Sequence, residues 1–142
     1  MTAEEFSKAF LAVPFERETF LLEDGGTAGI DWVCNKGKKD GIPRESDKGK
    51  PILLIAPGLG GSAHNLYTTA LARKAHSMGY MVATILFRGA DGLPFTNGKL
   101  SYGGCWKDCK NIVDYVHGKY VIDKNTGKRS TRLYTFGCSL GA

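Results

Sequence analysis

The chain has 142 residues, enough for one domain and too few for two ordinary ones. Apolar residues at 42% and charged residues at 23% exclude disorder, collagen and coiled coil as whole-chain descriptions. A mean hydropathy of −0.20, with no apolar run near the roughly 20 residues that cross a bilayer, argues against an integral membrane protein.

The net charge of +5 is unevenly placed. Residues 36–50 and residues 123–132 each carry +3, which leaves −1 for everything else. Both stretches are rich in Gly, Ser and Lys. A nucleic-acid binder is expected to show a basic helix or stripe with aromatics for stacking. These read instead as solvated loops, and no nucleic-acid partner is expected. Nineteen glycines, about twice the usual share, point to tight loops or to backbone that approaches a ligand closely. Cys34, Cys105, Cys109 and Cys138 form no C-x-x-C pair, so reduced and mostly buried thiols are expected.

Residues 1–13 read as a short amphipathic helix within an N-terminal tail over 1–16. Residues 17–23 and 28–33 flank Asp24-Gly25-Gly26, a hairpin turn signal. The pattern then changes. Residues 51–56, 80–87 and 132–137 are unbroken apolar runs, the signature of strands covered on both faces in a parallel sheet. Between them lie two helical periods. From Asn65 to Met78, the residues Tyr67, Ala70, Leu71, Ala75 and Met78 share a face, with Asn65 as N-cap and Gly79 as C-cap. From Gly104 to Tyr120, an apolar stripe of Cys105, Trp106, Cys109, Ile112, Val113, Val116 and Tyr120 opposes Lys107, Asp108, Lys110, Asn111 and Asp114. The expected fold is α/β over 17–142: an antiparallel hairpin, then three parallel strands joined by right-handed helical crossovers.

Function in such a sheet sits at the carboxyl ends of its strands. The last strand runs into Gly137-Cys138-Ser139-Leu140-Gly141, a G-x-S-x-G elbow that projects Ser139 from the top of the sheet as a nucleophile. Acyl transfer also needs donors aimed at the developing oxyanion. The backbone N–H groups of Leu140, after the serine, and of Leu59, in Pro57-Gly58-Leu59-Gly60-Gly61-Ser62, occupy the expected places. A second reading takes Gly58-Leu59-Gly60-Gly61-Ser62-Ala63 as a dinucleotide fingerprint, with Arg88 meeting a phosphorylated ribose. Of the histidines, His64 lies in the loop beside the oxyanion candidate, and His76 and His117 lie in helices. The acid and histidine that follow an elbow serine in chain order have no counterpart among Leu140, Gly141 and Ala142.

From about Phe20 to Ala142 the chain resembles the α/β-hydrolase superfamily. Within it, the resemblance is to the branch of embryogenesis-associated hydrolases, YheT-like hydrolases and abhydrolase-domain lipases and phospholipases. The matching residues are Asp24-Gly25-Gly26 with Asp31-Trp32, Pro57-Gly58-Leu59, Phe87-Arg88-Gly89, Tyr102-Gly103-Gly104-Cys105-Trp106 and Gly137 to Ala142. Relatives often carry an acid where Cys109 stands, and here Asp108 comes one position earlier. The resemblance implies a serine esterase of carboxylic esters, above all lipid esters, with no metal and no cofactor. Its site would comprise Ser139 as nucleophile and Leu59 and Leu140 as oxyanion donors. The chain matches the N-terminal half of that fold, so inactivity alone is expected, and a non-catalytic remnant is the other outcome. The remaining partners the resemblance allows are a small-molecule ester, a membrane surface and a C-terminal half. The location it allows is cytoplasmic or membrane-associated. As an N-terminal half, the chain is expected to leave strand 132–137 as an open edge, with Leu133, Tyr134 and Phe136 exposed and the elbow frayed.

Overall fold

The computed structural model describes residues 2–3, 13–58, 60–101 and 106–142, with Leu140 described in its backbone alone. The helix expected over 1–13 lies largely outside these residues. Strand β1 (Phe15–Leu21) already begins inside the stretch read as a tail. It pairs antiparallel with β2 (Thr27–Val33) through the expected turn. There Gly25, at φ +82°, lets the chain reverse, and the Gly26 N–H donates to Asp24 Oδ1 at 3.0 Å.

The three apolar runs become β3 (Ile52–Ala56), β4 (Met81–Leu86) and β5 (Leu133–Gly137). The sheet order is β1-β2-β4-β3-β5. β3 is the hub, parallel to β4 on one side and to β5 on the other, while β2 pairs antiparallel with β4. Alternation along the strands sends side chains to two cores. Ile30, Trp32, Leu54, Ala83 and Ile85 meet Ile112 and Val116 of helix α2 (Trp106–Val116) on one face. Val33, Ile55 and Val82 meet Ala72 and Ala75 of helix α1 (Leu66–Ser77) on the other.

Both helices differ from their expected faces. In α1 the buried residues are Thr68, Thr69, Ala72 and Ala75, while Tyr67 and Met78 are exposed. The face is turned by about one residue because small side chains let the helix axis come close to the sheet. Asn65 stands at the N-cap position, but its side chain makes no cap bond. The C-cap is Met78, and Gly79 follows it at φ +90°, where a side chain would be strained. In α2, Asp108 is buried rather than solvated and Trp106 is exposed. The helix also stops at Val116 and widens into a π-helical turn over His117–Val121.

That turn is anchored on one carboxylate. Glu18 of β1 is 8% exposed and accepts from Trp32 Nε1 at 2.9 Å and from Tyr120 Oη at 2.7 Å. It also accepts from the Tyr115 hydroxyl and from Lys119 Nζ. Burial alone would raise its pKa, but these hydrogen bonds outweigh burial and hold the carboxyl below the usual range. The same contacts raise Lys119 against its own desolvation.

At the other edge, β5 pairs only with β3 among the described residues. Tyr134 and Phe136 are exposed as expected, whereas Leu133 is half-buried against the α2-side core. Cys34 is buried, and Cys109 and Cys138 are half-buried free thiols.

A depressed carboxylate stabilises the fold above its unfolded pKa, and that stabilisation is lost as pH falls through the folded value. Glu18→Gln is therefore expected to cost about 2 kcal/mol near neutrality. It should also shallow the loss of stability on acidification. Urea melts of both proteins between about pH 7 and about pH 3 check this. Equal acid sensitivity in the two would reject it.

Candidate active site

β5 ends against β3, where the Cys138 N–H donates to the carbonyl of Ala56 at 3.1 Å. The chain then turns. Ser139 has φ +55°, a region L-residues enter at a cost of about 1–3 kcal/mol. A short 3-10 turn, Ser139–Gly141, closes it, with the Gly141 N–H on the carbonyl of Cys138 at 2.9 Å. The segment is thus built rather than frayed. Its geometry excludes side chains at both flanking glycines. A Cβ on Gly137 would stand 2.1 Å from the Gly141 carbonyl oxygen, and one on Gly141 would stand 2.2 Å from that of Ala56. These backbone contacts give the turn its shape. Ser139 is left exposed at the rim.

The loop after β3 lies directly against it. A Cβ on Gly58 would fall 3.3 Å from Ser139 Cβ and 3.9 Å from Ser139 Oγ. The Gly58 N–H is held by the hydroxyl of Tyr67, in the first turn of α1, at 3.0 Å. Leu59 itself lies outside the described residues, and Leu140 follows Ser139 in the turn. Tyr67 had been read only as part of an apolar face. Its contact with Gly58 depends on a loop fold that no spacing reveals.

Arg88 closes β4 and is 7% exposed. Its Nε and Nη2 donate to the two oxygens of Asp108 at 2.7 Å each, and Nη1 donates to Asp24 at 3.0 Å. Its pKa is raised by the Asp108 bond against desolvation, with Asp24 adding to it. The Asp24 carboxyl is held well below the carboxylate range, first by Arg88 and then by the Gly26 N–H. A guanidinium so fully engaged is closed to a ribose phosphate, which removes the support for the dinucleotide reading. Asp108, one position before the acid expected from relatives, faces inward here and is the buried partner.

None of the three histidines meets Ser139. His64 packs edge-on against Phe15 of β1, with centroids 5.5 Å apart, and its Nε2 is 3.9 Å from Asp91. β1 is four strand spacings from β5, roughly 19 Å. Proton transfer needs about 3 Å. His76 and His117 lie at the far ends of helices that start at the Ser139 rim, roughly 15 Å down each axis. Asp31, His64 and Asp91 present ligand atoms within 4.8 Å of one another. Arg17 already neutralises both carboxylates there, at 2.8 and 2.7 Å, so the cluster is a closed ionic group.

Beside Ser139, an apolar groove of about 720 Å³ runs between α2 and β5, lined by Leu54, Ala56, Phe87, Trp106, Val113 and Phe136.

No family model matches the chain. Among curated proteins, it is 28% identical over 117 residues to protein abhd-3.2 of Caenorhabditis elegans, covering 82% of this chain and 29% of that protein. It is 25% identical to embryogenesis-associated protein EMB8 of Picea glauca, covering 96% and 28%. It is 23% identical to phospholipase ABHD3 of Bos taurus, covering 76% and 26%. Among solved structures, it superposes on the Pyrococcus furiosus esterase Pf2001 with a TM-score of 0.61 at 18% identity, covering 94% of this chain and 45% of the esterase. The chain has the fold of the α/β hydrolases. Its five strands match the N-terminal half of that fold. The chain spans less than a third of the length of these curated relatives. No described helix of the chain is long and apolar enough to cross a membrane.

Gly137→Ala and Gly141→Ala are each expected to destabilise by about 2 kcal/mol or more, since the clashing atoms are backbone. Arg88→Met should cost about 3–5 kcal/mol by stranding Asp108. Thermal and urea unfolding measure both. A Gly141→Ala protein as stable as wild type would contradict the turn geometry.

Proposed function

We propose that the chain supplies the nucleophile and oxyanion-binding half of a carboxylic-ester hydrolase acting on lipid esters. The observation that carries this reading is Ser139 itself. It is exposed, held at φ +55° between two glycines that admit no side chain, and faced by Gly58 of the neighbouring loop. Strain of this kind persists only where the surrounding structure over-determines it. In the proposed chemistry, Ser139 Oγ attacks the ester carbonyl carbon and the carbonyl oxygen becomes an oxyanion. The backbone N–H groups of Leu59 and Leu140 receive it. The alcohol departs, leaving an acyl group on Oγ for water to remove. The Oγ proton needs a base, and His64, His76 and His117 all lie away from Ser139. The base and its acid therefore come from a further segment, the C-terminal half. The apolar groove and the unpaired side of β5 support such a complement, the first by offering apolar surface to cover and the second by offering backbone groups to pair. The lipid-ester class is favoured by the apolar lining beside Ser139 and by the likeness to a protein named a phospholipase.

Without a base, a serine hydroxyl is a weak nucleophile. The 142-residue chain is expected to hydrolyse p-nitrophenyl butyrate no faster than its Ser139→Ala variant. When the C-terminal half is supplied, in cis or as a partner chain, a fluorophosphonate probe should label Ser139. Mass spectrometry of the labelled peptide reads the result. Label on another serine, or no label in the completed protein, would favour a non-catalytic remnant.

A further inference from the structure

The two basic stretches are far apart in sequence and adjacent in space. Residues 36–50 precede β3, residues 123–132 precede β5, and β3 and β5 are parallel neighbours. Both loops therefore lie at the amino ends of the strands, opposite Ser139. They are tied together, with Lys48 paired to Asp123 and Thr131 Oγ1 donating to the carbonyl of Lys50 at 2.6 Å. At +3 each, they gather +6 at one end of a chain whose remainder is −1.

The acids of the two loops each have a partner among the described residues. Asp47 holds Lys50, Glu45 and Asp123 hold Lys48, and Asp40 accepts from Asn35. Lys36, Lys38, Lys39, Lys124, Lys128 and Arg132 are exposed and form no ion pair among the described residues. The Arg44 and Arg129 side chains donate to the backbone carbonyls of Lys39 and Thr131.

We propose that this end is a docking face for an anionic membrane surface. Neither loop contains Phe, Tyr, Trp or His, so nothing there stacks on nucleic-acid bases. Their only described helical element is the three-residue turn Glu45–Asp47, too short to enter a groove. An acidic protein would call for an exposed apolar anchor beside the charge. None of the exposed large hydrophobic residues falls in either loop. Seven of the ten cations are Lys, compact charges on flexible stems that suit a diffuse layer of anionic headgroups better than a fixed geometry. Docked this way, the chain faces Ser139 away from the bilayer. The contact anchors the protein and does not feed the site, so the proposal stands apart from the hydrolase reading.

Vesicle flotation tests it, because protein aggregates sink while vesicles rise. The chain is expected to float with phosphatidylcholine vesicles containing about a third phosphatidylserine, and not with phosphatidylcholine alone. About 0.5 M salt should release it. Neutralising Lys36, Lys38 and Lys39 together to Gln should lower partitioning on the order of 100-fold. Lys124→Gln with Lys128→Gln, in the other loop, should lower it on the order of 30-fold. Lys99→Gln with Lys107→Gln, at the opposite rim, should leave it unchanged. Ser139→Ala should float like wild type, so a failed hydrolase reading leaves this result intact. Four outcomes would overturn the proposal. They are no flotation with the anionic vesicles, equal flotation with neutral ones, indifference to both loop variants, and release from vesicles by a single-stranded oligonucleotide at equal charge.

Discussion

A guanidinium cannot be taken out of water without partners, and Arg88 meets two from separate parts of the chain. Asp108 comes from the first turn of α2, twenty residues later, and Asp24 from the β1–β2 turn, sixty-four residues earlier. The two carboxylates thereby fix how α2 and the hairpin turn sit against the end of β4. Asn97 joins the same group and holds the loop after β4 onto the carbonyl of Asp24. Such a cluster adds little net stability compared with an apolar filling. What it supplies is register. Arg88 or Asp108 left alone would be a buried charge, so alternative placements of these segments are penalised.

The elbow rests on a different constraint, steric rather than electrostatic. Backbone packs on backbone where Gly137, Gly141 and Ala56 meet, at distances that leave no room for a Cβ. β3 takes part in both constraints. It carries Ala56 beneath the turn at Ser139 and lies between β4, which leads to Arg88, and β5, which leads to Ser139. The order β4-β3-β5 places the loops after β3 and β5 side by side, and so sets Gly58 against Ser139. The same order brings the loops before β3 and β5 together at the other end. One topological fact therefore organises both the polarised rim and the basic face.

Exposed apolar side chains and unpaired cations lie mostly at opposite ends of the strands, Met78 and Tyr134 excepted. Leu66, Tyr67, Phe95, Leu100 and Trp106 are exposed in segments at or following the carboxyl ends, where Ser139 stands. The unpaired cations sit mostly at the amino ends. Glu18 fastens the outer edge of the sheet to the end of α2 between these regions. It accepts from four side chains, so the π-helical turn is held by hydrogen bonds that offset its poor internal geometry.

Much of this was legible in the sequence because local chemistry dictates it. Unbroken apolar runs at 51–56, 80–87 and 132–137 are strands covered on two faces, and Asp24-Gly25-Gly26 is a turn whatever surrounds it. Gly137-Cys138-Ser139-Leu140-Gly141 announced its shape because only glycine tolerates that backbone contact. Other features waited on tertiary structure. The face of α1 depended on how closely Ala72 and Ala75 let it approach the sheet, which periodicity alone does not measure. Asp108 read as a surface acid until Arg88, twenty residues before it, was seen to need a buried partner. His64, near Gly58 in sequence, was carried across the sheet to Phe15 by the path of the loop after β3. The two basic stretches looked like unrelated solvated loops. Composition records how much charge a segment holds, but strand order decides which segments become neighbours, and only neighbours add their fields.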